Sequence, residues 1–147
     1  MRRGFSLIEL MVVLTIIGLL LATAIPNYKS YIAKAKLVSA YSTLSNIRTT
    51  AIENYLTTGG WPIDFAVLGL DKNALLGGVF TDLLMSTDCM EAHGEFCITG
   101  SLNKSISAQD NAKLIISADS SSGLINWRCL GEKLDPKIIP FGCDNKT

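Results

Sequence analysis

Apolar side chains are spread unevenly along the chain: Phe5 to Ile25 is a run of 21 residues whose only ionisable side chain is Glu9. Such a run predicts a helix that is hydrophobic all round, and at about 1.5 Å per residue it covers roughly 31 Å, the thickness of a bilayer hydrocarbon core. Past Pro26 the pattern changes. Lys29, Lys34, Lys36 and Arg48 alternate with an apolar stripe at Val38, Tyr41, Leu44, Ile47, Ala51 and Tyr55, and spacings of three and four predict an amphipathic helix with one half-buried face. Gly59-Gly60 after Thr57-Thr58 supplies a left-handed stop. One helix is therefore expected from about residue 5 to residue 57 or 58.

Residues 59–98 read as a long connection with short elements, punctuated by Gly59-Gly60, Trp61-Pro62, Gly69, Gly77-Gly78 and Gly94. Within it, Val67 to Leu70 and Val79 to Met85 suit either short strands or helical turns. Firmer strand signals follow at Glu95 to Thr99, Lys113 to Ala118 and Leu124 to Cys129, with Asp119-Ser-Ser-Ser-Gly123 as a turn. Leu114, Ile116 and Ala118 fall on one face of the middle strand. The expected class is α+β: a long N-terminal helix, apolar in its first half and amphipathic in its second, packed on an antiparallel sheet. No internal repeat or low-complexity tract interrupts it.

A chain of 147 residues suits one domain of ordinary size. Its 13 basic and 13 acidic side chains cancel, so no net field recommends nucleic acid or an acidic membrane surface as a partner. There is one histidine, and there is no G-x-S-x-G, G-x-x-x-x-G-K, G-x-G-x-x-G or H-E-x-x-H motif. An enzyme is not expected, and no cofactor is implied.

Arg2 and Arg3 immediately precede the apolar run, and basic residues beside a span prefer the cytoplasmic side, which sends the remainder outward. A cleaved signal peptide has a shorter apolar region of about 7 to 15 residues before a small-residue site. Ala22-Thr23-Ala24 is a passable site of that kind, but the run here is long and its basic region only two residues deep. Glu9 separates the segment from an ordinary anchor. An ionised carboxylate in hydrocarbon costs about 2.5 to 3.5 kcal/mol at the helix centre and less near the interface, so Glu9 either snorkels to the headgroups or has a partner. Gly18 and Pro26 place two helix-weakening residues in one helix, suited to a bend or to close packing.

The stretch Gly4-Phe5-Ser6-Leu7-Ile8-Glu9-Leu10-Met11, leading through an apolar helix to Ile25-Pro26-Asn27-Tyr28, resembles the N-terminus of type IVa pilins. The resemblance implies residues 1–4 as a leader that prepilin peptidase removes between Gly4 and Phe5 on the cytoplasmic side, with N-methylation of Phe5. It implies 5–28 as the membrane and filament-core helix, 29–58 as the amphipathic helix of a head, 59–98 as a connecting region, and 99–147 as antiparallel sheet and a disulfide-bounded C-terminal loop. It also gives Glu9 a partner, the N-terminal amine of a neighbouring subunit. Losing Arg2 and Arg3 leaves 11 basic against 13 acidic side chains, a slightly acidic mature chain.

Cys89, Cys97, Cys129 and Cys143 all lie on the extracytoplasmic side of the span, where disulfides persist. Four cysteines allow three connectivities; the sequence-local pairing, Cys89 with Cys97 and Cys129 with Cys143, is favoured, and zinc held by Cys89, Cys97 and His93 is a weak competitor. Trp127-Arg128-Cys129 followed by Lys137-Ile138-Ile139-Pro140-Phe141-Gly142-Cys143 is also similar to the pilin family, whose C-terminal strand and loop are closed by one disulfide and exposed on the filament. The pair at 89 and 97 departs from that one-bridge pattern.

The implied function is a structural subunit that sits in the inner membrane with its head in the periplasm, and polymerises with copies of itself into an extracellular filament. Prepilin peptidase and the inner-membrane assembly machinery are the other implied partners, and adhesion, twitching motility or DNA uptake the implied outcomes. The alternatives are a DNA-binding minor pilin and a type II secretion pseudopilin. Lys104, Lys113, Arg128, Lys133, Lys137 and Lys146 are the basic residues a DNA-binding face would use, but Asp110, Asp119, Glu132, Asp135 and Asp144 are interspersed, so nucleic acid is not favoured. Asn103-Lys-Ser105 and Asn145-Lys-Thr147 are formal glycosylation sequons read as solvated surface.

Overall fold

The computed structural model describes residues 6–89, 94–107 and 109–146. Helix α1 spans Leu7–Thr58; a 3-10 turn follows at Phe65–Leu68 and a short helix α2 at Lys72–Leu75. Five strands complete the chain: β1 Phe80–Ser86, β2 Phe96–Leu102, β3 Lys113–Asp119, β4 Asn126–Glu132 and β5 Cys143–Lys146. They form one sheet in the order β1-β2-β3-β4-β5. The class is α+β, as the sequence predicts. The chain divides into two compact units, Met1–Ile32 and Ala33–Thr147.

α1 ends where the glycines place the stop. Gly59 has φ 78°, in the left-handed region that costs glycine nothing, and its N–H donates to the Tyr55 carbonyl at 2.8 Å. In the second unit the helix buries Leu37, Ala40, Leu44, Ile47 and Ala51. The lower part of this stripe matches the sequence pattern, but its start lies one position earlier than expected: Leu37 is buried and Val38 is 48% exposed. Two adjacent apolar residues offered two continuations of the same period, and contact with the sheet selects Leu37.

The three central strands pair antiparallel in a register that brings Ile98 opposite Ile116 and Ile116 opposite Cys129. Phe96, Ile98, Leu114, Ile116 and Ala118 belong to the same core as the helix stripe. β3 is buried on both faces: Ile115, on the side away from Leu114 and Ile116, packs with Cys89 and Cys97 in a second small cluster edged by Leu130. The additional disulfide thus gives the outer face of the sheet an apolar cover of its own.

The sheet departs from expectation in three places. Its first strand, Phe80–Ser86, lies inside the segment read as connection, where the sequence admits strand or helical turn; Val67 to Leu70 overlaps the 3-10 turn instead. β4 begins at Asn126 rather than Leu124, which is 73% exposed beside the Ser120–Gly123 turn. The last pair, β4 with β5, is parallel, with Cys129 opposite Cys143. One position in β2 must be glycine for packing, since a Cβ on Gly100 would run into the ring of Phe80.

Candidate functional site

The first unit contains the residues on which the sequence reading rests. Every described residue from Ser6 to Ile25 is exposed, and α1 is the one helix among the described residues long and apolar enough to cross a membrane. The two threonine hydroxyls of the apolar stretch are satisfied within the helix: Thr15 Oγ1 donates to the Val12 carbonyl at 2.8 Å and Thr23 Oγ1 to the Leu20 carbonyl at 3.0 Å. Glu9 is the acidic residue of the first turn, and its Oε2 accepts the backbone N–H of Ser6 at 3.2 Å. Ser6 precedes the first helical residue, so Ser6 and Glu9 stand at capping-box spacing, with the carboxylate reaching back over an otherwise unpaired N–H. Sequence reasoning missed this contact, although the signal, serine followed three residues later by glutamate, was present. Gly18 has nothing within 4 Å of where a side chain would start. Gly4 and Phe5 lie outside the described residues, and Pro26 is within the span of α1.

The second unit holds the cysteines. Cys89 is bonded to Cys97 across 8 residues and Cys129 to Cys143 across 14. No described cysteine is free, and His93, the remaining ligand of the competing zinc reading, lies outside the described residues. The Cys129–Cys143 bridge joins residues that are also register partners, so it fastens the short edge strand β5 to β4. Ile138 and Pro140 are buried ahead of it while Phe141 is fully exposed, which leaves one aromatic ring displayed on a closed loop.

A loop of this length stabilises by about 3 kcal/mol in the chain-entropy account. Replacing Cys129 and Cys143 together by serine is therefore expected to lower the unfolding free energy of the full chain in detergent micelles by about that amount. Amide exchange should show the loss of protection concentrated at Cys143–Lys146. Unchanged exchange there would mean that backbone pairing alone holds β5.

The polar surface is mixed. Lys72 pairs with Asp82 at 2.8 Å, Lys104 with Asp110 at 2.9 Å and Lys113 with Glu132 at 3.8 Å. The Lys72 ammonium holds the Asp82 carboxyl below its usual range against partial desolvation, helped by the Leu83 N–H. Asp119 is also lowered, first by the Ser121 hydroxyl and then by its N–H, which anchor the β3–β4 turn. Asp88, Glu95 and Asp119 border an open depression of about 330 Å³, but no group among the described residues has the arrangement to hold a metal ion. The first sequon is structural: Asn103 Nδ2 donates to the Gly78 carbonyl and its Oδ1 accepts the Ser105 N–H at 3.1 Å. Thr147, which completes the second, lies outside the described residues.

Two family matches fall on the two units. Residues 1–25 match the prokaryotic N-terminal methylation motif, and residues 33–144 match the pilin family of bacterial filaments. Among curated proteins, a fimbrial protein of Pseudomonas aeruginosa is 31% identical over 153 residues, covering 97% of this chain and 96% of the relative. The fimbrial protein EcpC of Eikenella corrodens is 28% identical over 144 residues, covering 98% and 92%. The type IV major pilin protein PilE of Neisseria gonorrhoeae is 29% identical over 130 residues, covering 88% and 74%.

Proposed function

The chain belongs to the pilin family of bacterial filament proteins and is a structural subunit of an extracellular pilus, and from that premise we propose the following route from precursor to filament. The precursor sits in the inner membrane through residues 5–28, with its head in the periplasm. Prepilin peptidase removes residues 1–4 by cutting between Gly4 and Phe5, and the new amine of Phe5 is methylated. The inner-membrane assembly machinery then transfers the subunit into the polymer. Adhesion, twitching motility or DNA uptake is the task of the finished filament.

One observation carries this reading: an apolar helix exposed from Ser6 to Ile25, bearing a single carboxylate at Glu9. Fifteen exposed apolar residues need cover, and a bilayer before assembly and neighbouring copies afterwards both provide it. The carboxylate distinguishes the two environments, because an uncompensated charge is disfavoured in hydrocarbon and a neighbour's amine compensates it. Gly18 and Pro26 are where the helix has the least resistance to adapting between them. The opposite-charge pairing of Lys72, Lys104 and Lys113 disfavours a DNA-binding face.

Intact-protein and tandem mass spectrometry on filaments sheared from native cells, without reduction, tests the route. The expected product starts at a methylated Phe5, is abundant in the sheared fraction and carries two disulfides. Recovery only from membranes, starting at Met1 or after Ala24, would overturn it.

A further inference from the structure

In the second unit, Arg48 on α1 lies 5.6 Å over the ring of Trp127 on β4. Its Nε is buried and has no hydrogen-bond partner among the described residues. Among the described residues two other buried polar atoms share that condition, but their surroundings differ: Trp61 Nε1 belongs to a ring stacked between Tyr55 and Phe96, and Glu132 Oε2 is 3.8 Å from the Lys113 ammonium. Arg48 borders a cavity of about 60 Å³ whose walls include Tyr41, Ile116, Trp127, Arg128, Cys129 and Gly142. Among the described residues no carboxylate lines it, and no acidic group forms a salt bridge with Arg48.

We propose that this cavity is a binding site for a single carboxylate group, received by the Arg48 guanidinium. A guanidinium stays charged at any physiological pH and presents a planar fork of N–H donors that matches a carboxylate in a two-point contact. A buried donor without an acceptor is unfavourable, so an acceptor delivered from outside satisfies an N–H that the described residues leave unpaired. The ring beneath the guanidinium fixes its position, which lowers the ordering cost of binding. The volume is sufficient for a carboxylate or a few waters, and the walls at Ile116 and Trp127 are apolar. Gly142 and Cys129 place one wall at the Cys129–Cys143 bridge, so the bridge also holds the site's shape. The carboxylate comes either from an acidic side chain of a neighbouring copy or from a free small molecule.

The test is an NMR titration of the full-length 15N-labelled chain in non-ionic detergent micelles, with sodium acetate against sodium chloride at equal ionic strength. The Nε–H signal of Arg48 and the indole N–H signal of Trp127 are the readouts. Acetate is expected to shift both saturably and chloride is not. Arg48→Lys keeps the charge and loses the fork, and is expected to weaken acetate binding by about tenfold or more. Lys104→Gln, which removes an exposed cation paired with Asp110, is expected to leave it unchanged. A non-saturable response in the wild type, or acetate affinity in Arg48→Lys equal to wild type, would overturn the proposal. Sheared filaments separate the sources: an Arg48 signal already at the acetate-bound position and insensitive to acetate identifies a neighbour's carboxylate, and continued response to acetate identifies a free one. The micelle arm does not depend on polymerisation, so its failure leaves the filament reading intact.

Discussion

Truncation of Phe96 to alanine is expected to lower the stability of the folded head by about 3 to 5 kcal/mol, roughly a fifth or more of what a domain of this size commonly has. Phe96 is fully buried and occupies the middle of an aromatic row. Its ring stacks on Trp61 at 4.8 Å and meets Trp127 edge-on at 6.4 Å, while Trp61 stacks in turn on Tyr55 at 4.3 Å. The row therefore ties the end of α1 to the following loop, to β2 and to β4, and removing its central ring leaves a cavity where three elements meet. Each lost ring contact adds to the transfer cost, since such pairs are worth about 0.5 to 1.5 kcal/mol beyond area burial. Chemical denaturation of the full chain in detergent micelles, followed by tryptophan fluorescence, measures the change. Leu124→Ala is the control, because Leu124 is 73% exposed and its loss is expected to stay within about 0.5 kcal/mol. A Phe96→Ala effect below about 1 kcal/mol would show that the site collapses around the missing ring.

Nothing in the sequence marks this row. Tyr55 was legible as part of the helical stripe, but Trp61 stands beside Pro62 in a glycine-rich connection, and its stacking partners arrive from 35 and 6 positions away along the chain. Arg48 was equally hidden, read as one of several cations on a polar face. What was legible depends on one dimension only. The run from Phe5 to Ile25, the lone Glu9 and the stop at Gly59 each declare themselves without a partner.

The head was legible where burial on one side imposes a period, as along Leu44, Ile47 and Ala51. It was less so where long-range pairing decides. β1 mixes buried Phe80 and Leu83 with exposed Thr81 and Leu84, which imposes neither strand nor helical period. β5 is Cys-Asp-Asn-Lys, a polar sequence with low strand propensity. Its place in the sheet follows from parallel pairing with β4 and from a covalent bond. The apolar stretch of α1 was therefore easier to read than the head, because an exposed apolar helix is conspicuous for the same reason that it needs a partner.

Glu9→Gln is expected to abolish filaments while leaving the subunit folded and in the membrane. Glu9 has two roles to separate. In the single chain its carboxylate caps α1 by accepting the Ser6 N–H, and in the proposed polymer it neutralises the N-terminal amine of a neighbour. Glutamine retains an oxygen for the Ser6 N–H and loses only the charge, whereas Glu9→Leu loses both. Two unit charges at about 4 Å attract by roughly 4 kcal/mol at an effective dielectric near 20, which corresponds to about a thousandfold in an association constant. The same substitution makes the bilayer more hospitable, because a neutral amide avoids the insertion penalty of a carboxylate. Both changes push the subunit toward the membrane and away from the polymer. Electron microscopy and quantification of the sheared fraction read the loss, with disulfide mapping of the membrane fraction to establish that the head has folded. Filaments from Glu9→Gln at wild-type yield, with none from Glu9→Leu, would reduce Glu9 to a helix cap and remove charge pairing from the assembly step.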